Sequence, residues 1–357
     1  MQSTKSRMPL YALFLKYREI GLAVILTVLV ALVGLRNPAF AAPKNLLFIL
    51  EDTSTLMVLA FGMMCVMLVG SIDISIAGIM ALSAMTTGIL MRQYLGSADV
   101  TQVVDGAEAL VTVRSSVPVL LLILTGVAVG AACGFVNGAI IAWGNVLPIV
   151  TTLGMQYILF GLCHVISGGQ AVYRKDMSDA FIHFTRVDPL GINSKTWIML
   201  LVFALVFLFI TYIRTGRNLY AVGSNREAAE MRGTPVERTI VLAHVIMGAL
   251  AGLAGLLFAS HDTKITQDMT SGYEMYVIAA CVIGGVSVTG GSGKITGVLL
   301  GALTIGVINN GLTMMKLTGT SEFWKKAIQG ALILIAVISN VIIQRVMDKQ
   351  SLRRRNI

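Results

Sequence analysis

The residues of this chain that could do covalent or metal chemistry are few and scattered. The four histidines, His164, His183, His244 and His261, show no ligand spacing. Cys65, Cys133, Cys163 and Cys281 stand singly inside apolar segments, as small core residues do, with neither a disulfide framework nor zinc spacing. No Ser/His/Asp set and no carboxylate pair stands out at membrane depth, so an intramembrane enzyme is disfavoured and no catalytic or metal residues are assigned. The run Gly284-Gly285-Val286-Ser287-Val288-Thr289-Gly290-Gly291-Ser292-Gly293-Lys294 superficially suggests a phosphate loop. A Walker A motif needs Gly where this chain has Val288, and Ser or Thr where it has Ile295. The chain therefore carries no ATPase of its own, and any drive by ATP has to come from a separate subunit.

Three polar constellations remain. The first is Thr215 to Thr234, a polar stretch between long apolar runs. Ser224 and Glu227 have the S-x-x-E spacing of a capping box. Gly233 can close the helix in a left-handed turn, and Pro235 discourages its continuation. The expectation is a helix of about two turns, roughly 12 Å long. A helix that short is marginal alone in water and needs something to lie against, which we take to be another protein. The second constellation is Asp73, in Gly70-Ser71-Ile72-Asp73-Ile74-Ser75 between two apolar runs. A carboxylate at mid-membrane costs about 2.5 to 3.5 kcal/mol on insertion scales. Asp73 lies either at a turn, capping the following helix, or buried and paired in a broken helix; simple topology favours the turn. The third is a set of amides and hydroxyls within or beside apolar runs: Asn137, Thr151, Thr152, Gln156, Asn309 and Asn310. They are candidates for lining a path, and such a path suits a neutral, hydroxylated solute better than an ion. Hydrogen bonding between helices is the competing role for each.

The elements that must position these residues are membrane helices. Hydrophobic residues make up 56% of the sequence and charged residues 13%, with a mean hydropathy of +0.81, far from soluble averages. The expected class is an all-α polytopic membrane protein forming one transmembrane domain over residues 1–357. Apolar runs fall at about 20–36, 46–70, 74–95, 117–142, 146–166, 196–213, 239–260, 274–288, 296–315 and 323–346, ten spans in all, the eighth short. Lys5, Arg7, Lys16 and Arg18 precede the first run, and Ala39-Phe40-Ala41 has the small-x-small form of a signal-peptidase site. The run is somewhat long for a signal core, so we expect an uncleaved first helix.

The net charge of +9 does not point to nucleic acid, because the basic residues sit at the ends of apolar runs without interleaved aromatic platforms. Orientation accounts for them. Lys and Arg are densest at the N-terminus, in 214–238 (Arg214, Arg217, Arg226, Arg232, Arg238) and in the tail (Arg353, Arg354, Arg355), and with ten spans all three fall on one side, the cytoplasmic one. The cytoplasmic regions are then 1–19, 214–238 and 347–357. The long polar connections 96–116 and 167–195 fall outside, where they could receive a soluble partner or be flexible decoration. Gly126, Gly130, Gly134 and Gly138, and Gly248, Ala251, Gly252 and Gly255, mark faces on which helices can approach closely.

Taken in order, several stretches resemble the permeases of sugar-type ABC importers, the ribose, galactose, xylose and autoinducer-2 group. They are Gly70-Ser71-Ile72-Asp73-Ile74-Ser75, Phe135-Val136-Asn137-Gly138, Leu147-Pro148-Ile149-Val150-Thr151-Thr152-Leu153-Gly154, Thr215-Gly216-Arg217 through Gly223-Ser224-Asn225-Arg226-Glu227-Ala228-Ala229, Gly272-Tyr273-Glu274 through Ile278-Ala279-Ala280, and Gly284-Gly285 to Gly297. The resemblance spans about 20–346. It implies the type II import fold, two permease subunits, two cytoplasmic ATPases carrying ATP and Mg, and a periplasmic or lipid-anchored sugar-binding protein, all at the bacterial inner membrane. It also implies that Asn225 to Gly233 is a coupling helix docking in the ATPase, with Ser224, Asn225, Arg226, Glu227, Ala228, Ala229, Met231, Arg232 and Gly233 the residues concerned. An Asp common in the family after the Tyr-Glu pair is Tyr276 here, and one usual near the end of the last helix is Asn340. The rival reading, a secondary transporter driven by an ion gradient, predicts paired intramembrane carboxylates or a cation site in broken helices, and the spans offer little beyond Asp73 and Glu274.

Overall fold

The computed structural model describes residues 18–94, 97–104, 107–114 and 117–315, with helical positions 327, 330, 331, 334 and 338 beyond them. The helices form where the apolar runs stand, and they stop at polar, Pro or Gly residues. α1 (Arg18–Arg36) ends at Asn37, whose Oδ1 accepts the Ala39 N–H at 3.2 Å and starts a single turn of 3-10 helix. α2 (Pro43–Leu68) begins on a proline, whose missing N–H has no helical partner to lose. α3 (Ile76–Tyr94) leads into an antiparallel hairpin, β1 (Ser97–Val104) and β2 (Ala107–Arg114), so the 96–116 connection contains paired strands. α4 (Val119–Gly144) and α5 (Pro148–Ser167) meet at Asn145, a left-handed residue at φ 51°.

The connection 168–193 is folded too. It holds β3 (Val172–Tyr173) and the short α6 (Asp179–His183), whose Ser178 cap accepts from Phe181 N–H. α7 (Ser194–Tyr212) is followed by α8 (Arg214–Ser224), α9 (Arg226–Met231) and the 27-residue α10 (Val236–Asp262). β4 (Lys264–Ile265) pairs with β3; α11 (Tyr273–Ile283) and α12 (Ile295–Met314) close the described part. The last expected span, 323–346, lies outside the described residues apart from the isolated positions named above, and so do Asn340 and the basic tail.

α1, α2, α4, α5, α7, α10 and α12 are long and apolar enough to cross a membrane. α3 is less apolar and is packed inside the bundle. α11, with 11 residues, reaches about 16 Å, roughly half of a hydrocarbon core of about 30 Å. It ends at Ile283 rather than at the expected 288, because the glycine run takes over at Gly284. Irregular backbone at that depth is tolerated where protein surrounds it, and a methyl group on Gly284 would press on the Gly297 backbone of α12. Most of the bundle's centre is α2 and α10: Leu56 to Leu68 are buried continuously, as are Ala243, Met247, Ala251 and Ala254. α1, α5 and α7 instead expose apolar side chains such as Ile25, Tyr157, Val165 and Leu201, a surface matched to lipid. The class is thus a polytopic helical membrane protein, with one hairpin and one two-residue ladder added.

The glycine faces pack as expected. Gly130 and Gly134 of α4 lie against the Gly248 and His244 carbonyls of α10, and Gly252 lies against Gly126, at separations that leave no room for a side chain. In lipid, where burial of apolar groups gives no advantage, such backbone approach is what holds helices together.

Candidate functional site

Two ends of the bundle are defined by contacts between connections distant in sequence. At one, Asn45 donates to Asn310 Oδ1 at 3.1 Å, Asn37 reaches the Met314 carbonyl, and Arg186 Nη2 donates to the His261 carbonyl at 2.9 Å. At the other, α8, α9, the end of α2 and the glycine run meet, and Lys294 pairs with Glu19 at 2.7 Å.

At this second end α9 forms a short exposed helix. Asn225, extended at φ −163° and ψ 109°, interrupts the helix and accepts the Ala228 N–H on its own Oδ1 at 2.9 Å. The cap is therefore Asn225 and not Ser224. Ser224 ends α8, and its Oγ is engaged with the Tyr220 carbonyl at 2.7 Å, so the expected Ser224–Glu227 capping box does not form. The amide wins because it stands at the residue that leaves helical geometry, where a side-chain oxygen can reach the third N–H on. At the other terminus Gly233 is left-handed at φ 77°, Gly233 N–H donates to Glu230 O and Thr234 N–H to Ala229 O, ending the helix as expected after six residues, somewhat less than two turns. Only Ala229 of α9 is buried, and Ala228 is half-buried. Arg226, Glu227, Glu230, Met231 and Arg232 are exposed, Met231 at 83%, and Arg226 is held to Glu237 at 3.5 Å.

α9 rests on α8, and α8 rests on glycines. Gly223 lies against the Leu68 carbonyl, the same oxygen that accepts the Gly291 N–H at 3.0 Å. Gly290 and Gly291 have φ 93° and 73°, a conformation open to glycine and costly for other residues, and they pack on Gly70, Gly223 and Ser224. Tyr220 Oη donates to the Gly293 carbonyl at 3.1 Å, and burial pushes its phenol up to about 12. The glycine run that imitates a phosphate loop is thus a backbone seat for α8. A cavity of about 260 Å³ opens beside it, lined by Gly70, Ser71, Asn145, Pro148, Val222 and Arg226 among others.

Above this seat lies Asp73, fully buried in the non-helical stretch between α2 and α3. One carboxylate oxygen accepts Ser75 N–H at 2.9 Å and Ser75 Oγ–H at 2.6 Å, and the other faces His244 Nδ1 of α10 at 3.3 Å. Asn137 Nδ2 donates to Ser75 Oγ at 2.7 Å, and Thr152 Oγ1 reaches the Ile72 carbonyl at 3.3 Å. Both alternatives drawn from the sequence are combined: Asp73 lies in the turn before α3 that topology favours, and it is also buried and paired. Asn137 Oδ1 and His244 Nε2 are buried without a partner among the described residues.

The candidate path residues separate into two groups. Asn137, Thr151, Thr152 and Gln156 are buried on α4 and α5 around the Asp73 stretch, with Thr151 Oγ1 turned to its own helix at the Leu147 carbonyl. Asn310 is at the opposite end, held by Asn45, and Asn309 stands beside it on α12. Tyr276 joins an edge-to-face series with Tyr273 and Phe258, the Tyr276–Tyr273 and Tyr273–Phe258 centroids 6.1 and 5.9 Å apart. From sequence His244 is weighed only as a ligand, Gly223 stands only within a resembling stretch, and Tyr220 is not singled out. Asp73 and His244 are 171 residues apart, so no spacing connects them. Among the described residues no group of three His, Cys, Asp or Glu could hold a metal ion.

A bundle of apolar helices that spans a membrane, broken near a buried polar cluster and carrying a short exposed helix at one end, has the form of a transport permease. The chain belongs to the family described as branched-chain amino acid transport system / permease component, which matches residues 45–337. It is 33% identical over 317 residues to the ribose import permease protein RbsC of Escherichia coli (strain K12), covering 88% of this chain and 91% of that one. It is 32% identical over 336 residues to the D-allose transport system permease protein AlsC of the same organism, covering 94% of each. With the galactose/methyl galactoside import permease protein MglC of that strain it shares 32% identity over 330 residues, 91% of this chain and 94% of the other. No solved structure matches the chain.

Proposed function

We propose that this permease passes a monosaccharide or similar hydroxylated solute into the cytoplasm by alternating access, driven by ATPase subunits that dock on α9. The exposed face of α9 is the observation that carries this reading: one apolar side chain, Met231, with Arg226, Glu227, Glu230 and Arg232 around it, on a helix capped by Asn225 and buried against the bundle at Ala229. Such a surface fits a groove on a protein better than it fits water or lipid. The sugar class is supported by the ribose, allose and galactose import relatives and by the amide and hydroxyl character of Asn137, Thr152 and Gln156.

In this reading the α9 end, residues 1–19 and the tail 347–357 are cytoplasmic, 1–357 is one transmembrane domain of ten spans, and a second permease subunit completes the path. ATP and Mg belong to the ATPases, and a binding protein outside delivers the solute. Nucleotide has to favour one permease conformation over the other, since a ligand that binds both equally shifts nothing. The test is reconstitution in liposomes with the cognate ATPase and binding protein, offering radiolabelled D-ribose, D-allose and D-galactose in turn. Uptake of one of them that requires ATP and disappears when the ATPase's catalytic glutamate is replaced is the expected result. Uptake by the permease alone under a proton gradient overturns it.

A further inference from the structure

α9 is suspended between α8 and α10, and both of these helices attach to one short stretch of chain, Leu68 to Ser75. α8 attaches sterically: Gly223 lies on the Leu68 carbonyl, which Gly291 N–H also engages at 3.0 Å. α10 attaches through a side chain two turns along the helix, where His244 Nδ1 meets Asp73 Oδ2 at 3.3 Å. Between the two attachments the backbone is not helical, and Gly70 turns it at φ 77°. Asp73 in turn holds the start of α3 through Ser75 N–H at 2.9 Å. Asn137 of α4 and Thr152 of α5 hold the same stretch.

The two attachments differ in kind. The glycine seat is backbone on backbone and leaves no slack. The Asp73–His244 contact belongs to a polar cluster that is buried but only partly satisfied, since His244 Nε2 and Asn137 Oδ1 have no partner among the described residues. Partial satisfaction is costly in a dry interior. It is understandable where the same groups serve a second arrangement, in which they are paired differently.

We propose that the His244–Asp73 contact is the tie by which displacement of α9 reaches the break between α2 and α3, making His244 a positioning residue for coupling ATP turnover to transport. This rests on the docking of an ATPase at α9. Movement of α10 carries His244, His244 carries Asp73, and Asp73 reorients the first turn of α3 while the glycine seat keeps Leu68 fixed to α8.

The experiment compares His244→Gln with His244→Leu in the full reconstituted transporter, measuring radiolabelled sugar taken up per ATP hydrolysed, with the sugar chosen as the one of D-ribose, D-allose and D-galactose that the wild type transports. The two side chains are similar in size, and only glutamine keeps an N–H for the carboxylate. His244→Leu is expected to lower uptake per ATP by about tenfold, the scale of one strong interhelical hydrogen bond, with ATP hydrolysis still within about twofold. His244→Gln is expected to retain most of the wild-type ratio. Adding Asp73→Asn, which keeps an acceptor for Ser75 N–H, to His244→Leu should lower the ratio no further, as for two partners in one interaction. Equal behaviour of Gln and Leu, a further loss in the double variant, or parallel loss of hydrolysis and uptake overturns the proposal while leaving the import reading intact. Absence of ATP-dependent uptake of all three sugars in the wild type overturns both.

Discussion

Gly130 of α4 and Gly248 of α10 lie so close that a methyl group on either would meet the carbonyl oxygen of the other. A collision with backbone cannot be relieved by turning a side chain, so the two helices would have to separate along their whole shared face. Gly130→Val is therefore expected to cost more than the 1 to 3 kcal/mol or so of ordinary overpacking. Monodisperse protein recovered in detergent should fall severalfold. Gly154→Ala, whose added methyl meets no other element among the described residues within 4 Å, is the control and should leave the yield unchanged.

The Asn225 cap makes a second prediction. Asn225→Ala removes the acceptor for Ala228 N–H and should destabilise α9 by about 1 kcal/mol, while Asn225→Asp should retain it. Ser224→Ala leaves that cap in place and should be mild. Recovery of the ATPase on affinity-tagged permease is the measurement, and equal recovery with Asn225→Ala and Ser224→Ala would contradict the assignment.

Gly233 and Glu227 test the same helix differently. The space around Gly233 is open, so a side chain is opposed there by the left-handed backbone alone. Gly233→Val should reduce ATPase recovery and uptake strongly, and Gly233→Asn should be tolerated, because asparagine enters that conformation at little cost. Glu227→Arg reverses an exposed charge beside the helix start and should weaken docking with insertion unaltered. Wild-type recovery of the ATPase with both Gly233→Val and Glu227→Arg would count against α9 as the docking element.

At the opposite end, Lys195 is buried with its ammonium 3.8 Å from Glu51, which is partly exposed. Glu51→Gln removes the nearest counter-charge of the buried cation, leaving the more distant Asp52 and Asp262. The loss should be about 2 kcal/mol, less than for a wholly buried pair because water reaches the glutamate. Lys195→Met in the same background should recover most of it, read as thermal midpoint in detergent.

The helical class and the seven helices long and apolar enough to cross a membrane were legible because hydropathy responds to a single strong requirement, the satisfaction of backbone polar groups in lipid. The glycine faces at Gly130 and Gly248 were legible for a related reason, since small residues at helical spacing have few other uses there. The cap at Asn225 was missed because Ser224 and Asn225 are both good caps, and only the φ and ψ of the chain decide which one leaves the helix. The Asp73–His244 contact was missed because it joins residues far apart in sequence, each plausible alone as a helix cap or a core imidazole. The end of α11 was misplaced because Val286 and Val288 continue an apolar pattern that glycine backbone interrupts.

α10 runs without interruption for 27 residues, about 40 Å at 1.5 Å per residue. One extremity adjoins α9, and the other carries Ser260, bonded to Thr185 at 2.7 Å and to the Phe181 carbonyl at 2.6 Å. The folded connection 168–193 is thus fastened to the far tip of the same rigid rod that begins beside Arg226. A tilt of about 5° pivoting at its first turn sweeps that tip through about 3.5 Å, given the same rise per residue. One helix thus joins the α9 end of the bundle to the folded connection at its opposite end.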